Sequence, residues 1–530
     1  MMRKAKWEIS VEMPRLKVKR CGLAEHCRRV HLVAPRHPES FWSLQGTVDL
    51  LGAKTLVPNS ALATLIALTP SNVGVEFVLG DENVSAIDLD LPCDLVAITG
   101  ATLHAPRIVE LCSAFRERGI PVALGGTYAT LQHDRCVGLA DYHFIGEAEH
   151  TWPRFLRDWV AGAAEPVYKQ DAFIDLEDSP APDWSLIEPK DYLSISVQAS
   201  RGCPNRCDFC DVTQYLGRKC RVKSVPQILD EIKAAHALGA SSVFFSDDNF
   251  LGNKAFTRSL LTELVEWNKA QPRPLSFSAQ ITVQVADDEE LLRLFADALF
   301  RLFFVGVETP RRECLEEVHK AQNLDRPLGE RLRAISRFGI VPFLGLIVGF
   351  DGDDLTVFDD MYSFIDDTAS PIVGISMLNA PRHTPLYERL SRAGRLVGGD
   401  FSGEWQLETN IVPKQMTREE LVRGYWEMLV RVYDPELFDQ RLQRWLPTVE
   451  YYGERGYSNT EMDLQEVRMM LRVLGKFLFC SERAVRRLFW RNIARARNLD
   501  RGTRIRMFTL LAQYRHFRDF VTKPRTQPAH

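Results

Sequence analysis

The chain has 530 residues, with 66 Lys+Arg against 70 Asp+Glu and 45% hydrophobic residues. That length implies about two to four domains with cores of their own, and 26% charged with 10% aromatic residues excludes a largely disordered chain. A net charge of −4 gives no global reason to expect a nucleic-acid partner, and no apolar run approaches the ~18 residues of a membrane-spanning helix.

The amino terminus, MMRKAKWEISVEMPRLKVKR, is basic but lacks the apolar stretch of a signal peptide, so a cytoplasmic protein is expected. Residues 1–30 read as an extension. From 31 to 164 short apolar runs alternate with helical stretches. HLVAP (31–35), VEFVL (75–79), DLVAITG (94–100), IPVALGG (120–126) and YHFIG (142–146) read as buried strands, with helices over Ala61–Leu68 and Pro106–Arg118. That alternation predicts a parallel, doubly wound sheet, whose ligands bind beyond the carboxyl ends of its strands. Residues 165–190, with Pro166, Pro180, Pro182 and Pro189, read as a linker.

A second series follows over 191–400. Its strands are SISVQAS (194–200), SVFFS (242–246), LSFSAQI (275–281), RLFFVGV (301–307), VPFLGLIVGF (341–350) and IVGISML (372–378). Helices are expected at Val225–Leu238, Ala255–Lys269, Asp288–Phe300, Pro327–Phe338 and Asp354–Ile365. Six consecutive strand–helix units suggest a parallel barrel or partial barrel, with its chemistry at the carboxyl ends of the strands. From 401 to 530 helical patterns take over. Ser481–His530 holds thirteen basic residues against three acidic ones, a local excess of +10 that leaves about −14 for the rest. There Arg486, Arg487, Arg491, Arg504 and Arg515 interleave with Phe489, Trp490, Phe508 and Phe517. Two readings stay open: a helix pair packing its aromatics on the barrel, or a basic amphipathic surface lying on an anionic membrane.

Eleven cysteines without framework spacing fit a reducing compartment. Eight stand singly and are expected to be small structural hydrophobes: Cys21, Cys27, Cys93, Cys112, Cys136, Cys220, Cys314 and Cys480. Cys203, Cys207 and Cys210 do not. They form CxxxCxxC in SRGCPNRCDFCDV, directly after the first strand of the second series. Three thiolates on a short loop can ligate three irons of a [4Fe–4S] cluster and leave the fourth open. A structural zinc site would want a fourth Cys or His at knuckle spacing, and none stands nearby.

This triad, with Phe209 before its last cysteine, resembles the radical S-adenosylmethionine (SAM) superfamily. The likeness continues through SVFFSDDNFLGN, where Asp247, Asp248 and Asn249 would face the amino and carboxylate groups of SAM. It runs on through VGVETP with Glu308 and GLIVGFDGDD with Gly349, near the adenine. FSAQIT, with Gln280, departs from the acidic residue that relatives often carry, and NAPRHTPLYERL has His383 where they often have a Pro-Gly-Thr turn. His383 reads as a surface-loop histidine or as a substrate-facing group. IPVALGGTYAT and DYHFIGEAEHTWPRFL resemble the cobalamin-binding domain that precedes many radical SAM barrels, which implies Gly125, Gly126 and Thr127 close to the cofactor. Thr102 and His104 of ITGATLH would line the same face. The DxHxxG ligand motif is absent; His37 in APRHPES has neither its Asp nor its Gly. Cobalt would then carry no protein histidine. The helical tail resembles the extension of a subgroup that includes the hopanoid methylases.

The implied fold is α/β: a Rossmann-like doubly wound cobalamin-binding domain, a (β/α)6 partial TIM barrel and an α-helical C-terminal domain. The implied cofactors are a [4Fe–4S] cluster, SAM and cobalamin. The implied activity is methyl transfer to an unactivated carbon of a small molecule or lipid, by way of a 5′-deoxyadenosyl radical and methylcobalamin. A one-electron reductant such as ferredoxin or flavodoxin would be the partner, with a peripheral contact at the inner membrane face through the basic tail. Radical rearrangement or cyclisation without net methyl transfer stays open, as does a non-catalytic cobalamin sensor. Methylthiotransfer would ask for a second cysteine triad, and Cys93, Cys112 and Cys136 are spaced unlike one.

Overall fold

Alternating apolar runs build two parallel sheets whose strand carboxyl ends meet. The computed structural model describes residues 17–22, 27–397, 408–451, 453, 464–499 and 501–523. The expected boundary at 400/401 and the end of the tail lie outside those residues.

The first sheet contains β1 (Lys19–Cys21), β2 (Arg28–Ala34), β3 (Val75–Asp81), β4 (Leu95–Thr99), β5 (Val122–Gly125), β6 (Tyr142–Ile145) and β7 (Val167–Lys169). Its order is β1-β3-β2-β4-β5-β6-β7, with only β1 antiparallel. Successive side chains point to opposite faces. Val96 and Ile98 meet Ile108, Leu111 and Phe115 of the helix at Ala105–Glu117, while Leu95 and Ala97 meet Leu62, Ile66 and Trp152 on the other side. Burial on both faces explains why the strands read as continuous apolar runs. The sheet takes in residues on either side of 31–164. Lys19 and Arg20 of β1 reach Asp183 and Glu76. The proline-rich stretch supplies β7 at the opposite edge, where Pro166 lacks an N–H but its carbonyl accepts from His143.

The second sheet contains β8 (Ile195–Val197), β11 (Ser242–Phe245), β12 (Ser276–Ile281), β13 (Phe300–Glu308), β14 (Val341–Val348) and β15 (Ile372–Met377), all parallel and in that order. Between β8 and β11 lies a hairpin of β9 (Ser200–Arg201) and β10 (Arg221–Val222). The stretch expected as one strand over 194–200 is therefore broken. The Asp247 carboxylate takes the Ala199 N–H at 3.1 Å and the Ser200 hydroxyl at 2.5 Å, turning the chain into the hairpin. Helices Val225–Ala237, Lys254–Lys269, Glu289–Asp297, Leu328–Arg337 and Val357–Asp367 cover the outside. Ser224, Asn253 and Asp288 cap three of them through their side chains. The helix expected to reach Phe300 ends at Asp297, because Leu299 turns to φ 70 and Phe300 opens β13.

The concave side of this open barrel is filled from the first domain. Trp42 stacks on Phe343 (5.4 Å, 22°) over Gly374, whose missing side chain leaves room for the indole. Phe41 packs on Phe517 of the last helix (Arg501–Thr522) at 4.4 Å. Phe489, Phe508 and Phe517 are buried, while Trp490 stays 47% exposed. Arg491 and Arg495 pair with Glu436 and Asp439, and Arg518 with Glu482. Most of the tail's aromatics thus serve the core.

Candidate functional site

Gly202 opens the cysteine loop at φ +89, where a Cβ would stand 2.5 Å from the Lys219 carbonyl. The Cys203 N–H donates to Gly217 O at 3.3 Å and that of Cys210 to Cys207 O at 3.2 Å. All three thiols are half-buried. Burial pushes the Cys210 thiol up to about 12 and raises that of Cys203, and the neighbouring thiols of the triad add to both shifts. Among the described residues no three His, Cys, Asp or Glu side chains converge tightly enough for a single metal ion. A [4Fe–4S] cluster takes one thiolate per iron and needs them set apart, whereas zinc needs four donors on one point. With three thiols on one loop and no fourth Cys or His at knuckle spacing, the donor set suits a [4Fe–4S] cluster better than a closed zinc site.

Around the loop the strand ends place the other expected residues. Asp247 is fully buried and spends its oxygens on Ala199 and Ser200; burial, partly opposed by those bonds, drives its carboxyl up to about 7. Burial likewise raises Asp248 to about 6, and its Oδ2 has no hydrogen-bond partner among the described residues. An orphaned, buried acceptor beside the triad suits a cationic amine. Asn249 Oδ1 accepts from Leu251 N–H in a tight turn. The Gln280 carbonyl accepts from Phe250 N–H. A bulge in β13 between Gly306 and Glu308 brings Glu308 to φ +66, with Oε1 2.5 Å from Lys320 Nζ. Gly349, at φ +111, donates its N–H to Asp353 Oδ2 at 2.8 Å, and Phe209 packs 6.5 Å from Phe350.

A cavity of about 370 Å³ lies between the carboxyl ends of the two sheets. Thr99, Gly125, Gly126, Thr127 and Phe144 line it from the first sheet, and Gln198, Arg201, Tyr215 and Asp248 from the second. Leu62, Leu65, Leu68 and Trp152 form an apolar wall. The two glycines differ. Gly126 sits at φ +90, and a Cβ there would stand 2.6 Å from Gly100 O, so the protein's own backbone requires this glycine. At Gly125 a Cβ would touch only Phe144, at 3.4 Å, leaving its bareness free to serve a ligand.

Thr102 and His104 stand off the cavity lining. Thr102 accepts from Gln132 at 3.3 Å. The Ala101 N–H donates to His104 Nδ1 at 3.0 Å, so neutral His104 carries its proton on Nε2 and donates it to His37 Nδ1 at 2.9 Å. Burial lowers both histidines, His104 to about 4. Both acceptor lone pairs of the pair are thereby in use. His383 is an exposed loop residue whose Nε2 lies 2.9 Å from the Leu131 carbonyl, tying the barrel to the first domain.

Sequence reasoning missed Glu147, Glu149, Arg201 and the Lys223–Glu231 pair, all on the cavity wall. Arg201 reaches Glu147 at 2.9 Å and Glu149 at 2.8 Å, Arg221 reaches Glu147 at 2.9 Å, and Lys223 lies 2.5 Å from Glu231. The only signal was GEAEH itself, two carboxylates just past a buried strand.

A sequence profile of the radical SAM superfamily matches residues 197–365, and one described as a domain of unknown function (DUF4070) matches 384–529. The chain is 34% identical over 426 residues to an uncharacterized methyltransferase of Synechocystis sp., covering 78% of each chain. It is 32% identical over 422 residues to the hopanoid C-2 methylase of Rhodopseudomonas palustris, again 78% of each. The methyltransferase TsrM from Kitasatospora setae, solved with cobalamin and a [4Fe–4S] cluster, matches with a TM-score of 0.59 at 16% identity, over 85% of this chain and 100% of that one. OxsB, a cobalamin-dependent SAM radical enzyme solved with aqua-cobalamin, matches at 0.60 and 13% identity, over 94% and 84%. At those identities the structural likeness speaks for the fold.

Proposed function

This chain belongs to the cobalamin-dependent radical SAM family, and from that premise we propose that it is a C-methyltransferase acting on an unactivated carbon of a small molecule or lipid. The observation that carries the reading is one cavity lined both by Gly125, Gly126 and Thr127 and by Asp248 and Arg201 beside the cysteine triad. When bound, the cluster with SAM supplies radical hydrogen abstraction, and cobalamin supplies a transferable methyl group.

Cys203, Cys207 and Cys210 would hold three irons. Asp248, through its unpaired Oδ2, would accept from the amino group of SAM, with Asn249 next to it after the same strand and Glu308 at the end of β13. Asp247 would act from behind, holding the hairpin that presents the loop. Phe209 and Gly349 would bound the adenine side. Gly125 offers bare backbone to cobalamin, and Leu62, Leu65, Leu68 and Trp152 give one side of the cavity an apolar wall. The His37–His104 pair, with its lone pairs engaged, supports a cobalt without protein histidine.

Anaerobic reaction of the reconstituted chain with candidate substrates tests the reading. Deoxyadenosine together with S-adenosylhomocysteine supports methyl transfer. Deoxyadenosine alone points to rearrangement, and cobalamin binding without either product points to a sensor.

A reducing cytoplasm and a one-electron protein donor complete the proposal. No helix among the described residues is long and apolar enough to cross a membrane. Contact with a membrane face would fall to the outward side of helices Leu464–Leu478 and Arg483–Ala496, where Leu471, Trp490 and nearby Phe479 are exposed among Arg483 and Arg487.

A further inference from the structure

Beyond Glu308 the chain returns as a strap, residues 318–323, laid across the cysteine loop. The Val318 carbonyl accepts the Asp208 N–H at 3.1 Å, and His319 Nδ1 lies 3.0 Å from Asp208 Oδ1. Gln322 directs its side-chain amide at Cys207 Sγ, 3.5 Å away. Lys320 places its ammonium 2.5 Å from Glu308 Oε1, with both side chains 9% exposed. Asn323 fastens the strap to β13, donating from Nδ2 to Gly306 O at 3.1 Å and Val307 O at 2.9 Å. Gly306 makes room: a Cβ there would stand 2.6 Å from Glu308 Oε1 and 3.1 Å from Lys320 Nζ. Burial disfavours a charged lysine, but the Glu308 carboxylate beside it outweighs burial and holds Lys320 protonated. Its charge interacts with the sulfurs of Cys203, Cys207 and Cys210. A fixed cation therefore stands within electrostatic reach of all three thiols, and an N–H donor rests on one of them.

We propose that this strap, through the Lys320 ammonium and the Gln322 amide, sets the reduction potential of the cluster held by Cys203, Cys207 and Cys210. The inference rests on the reading of the triad as a [4Fe–4S] ligand set. One-electron reduction by an external low-potential donor, itself oxidised by one electron, adds one negative charge at the triad and requires no proton. A buried cation and a hydrogen bond to a ligand sulfur both favour the form with the added charge, and net charge and such bonds are principal determinants of cluster potentials. Lys320 and Gln322 are thus positioning residues for electron entry. Lys320 also links the thiols to Glu308, the carboxylate assigned to SAM.

The test is a redox titration of the anaerobically reconstituted full chain, followed by electron paramagnetic resonance, with iron and sulfide content matched between proteins. Lys320→Met and Gln322→Leu should each lower the reduced-to-oxidised ratio at a fixed potential about tenfold, ~59 mV for one electron. Lys320→Arg, which keeps the charge, should stay within about threefold of the native ratio. Ratios within twofold of native in both Lys320→Met and Gln322→Leu, at full cluster load, overturn the inference. Gln322→Leu exchanges neutral for neutral and decides the matter if Lys320→Met takes up too little iron. A native chain that assembles no cluster overturns the reading of the triad, and the strap's role falls with it.

Discussion

Arg201→Met removes the side chain that grips both carboxylates of the Glu147–Glu149 loop. Glu147 and Glu149 are 3% and 4% exposed at the side chain, and Arg201 is 14% exposed. Removing one partner of a buried ion pair costs about 3–5 kcal/mol, because the other charge is left without compensation. Glu147 would keep Arg221 at 2.9 Å, while Glu149 would keep the Ser179 hydroxyl at 3.0 Å and its backbone hydrogen bond but no cation among the described residues. One orphaned carboxylate rather than two places the cost at the lower end, about 3 kcal/mol. The loss falls where the first domain meets the β9–β10 hairpin. Local opening there should become about 10²-fold more favourable, read as faster hydrogen–deuterium exchange across residues 199–222. Adding Glu149→Gln should recover part of the loss, since the unpaired charge is what costs. The pH dependence has a defined sign. Burial raises Glu149, but Arg201 and the Ser179 bond outweigh it and hold the carboxyl below the usual range. Its stabilisation is present above the unfolded carboxyl pKa and is lost as pH falls through the folded one. In Arg201→Met the largest interaction opposing burial is gone, the folded pKa rises, and acidification should recover part of the loss by protonating Glu149. Exchange across 199–222 within threefold of native at neutral pH would refute the reasoning.

Substituting Ala for any one of Cys203, Cys207 and Cys210 should abolish SAM cleavage and the broad visible absorption of the reconstituted protein while leaving far-UV circular dichroism unchanged; full cleavage in the triple variant sinks the assignment. Gly125→Val should lower cobalamin occupancy in a folded protein, whereas Gly126→Val should also lower the melting temperature, because its Cβ would meet Gly100 O at 2.6 Å. Equal melting temperatures for the two variants would contradict that distinction. Burial drives buried His31 down to about 4, with Asp88 opposing, so the unfolded chain binds the proton first as pH falls. Stability is then complete above the unfolded pKa of ~6.5 and lost between there and pH ~4, with about 2 kcal/mol gone by pH 5. His31→Leu should flatten the fall in melting temperature between pH 7 and 5. Co-sedimentation with anionic vesicles at low salt checks the membrane contact; recovery of the whole protein in the supernatant removes it.

The central strands of both sheets were legible along the chain, because burial on both faces writes parallel strands as continuous apolar runs, whereas the edge strands β1 and β7 were not. The triad was legible for a different reason: CxxxCxxC is a local ligand spacing, and a loop carries it wherever it is placed. The hairpin at β9 and β10 was not, because what breaks the 194–200 run is Asp247, some fifty residues away in sequence. Nor was the grip of Arg201 on Glu147 and Glu149, or of Lys320 on Glu308, since a charged residue reads as solvated until its partner arrives from another element. The glycine pair shows the division most closely. Both glycines announced a close approach, but only the packing of β4 against β5 decided that Gly126 answers to Gly100 while Gly125 faces the cavity. Local pattern determines which elements form and which loops can bind metal. Which charges are buried together, and therefore what surrounds the site, is decided only when the two sheets meet, because desolvation depends on every neighbour at once.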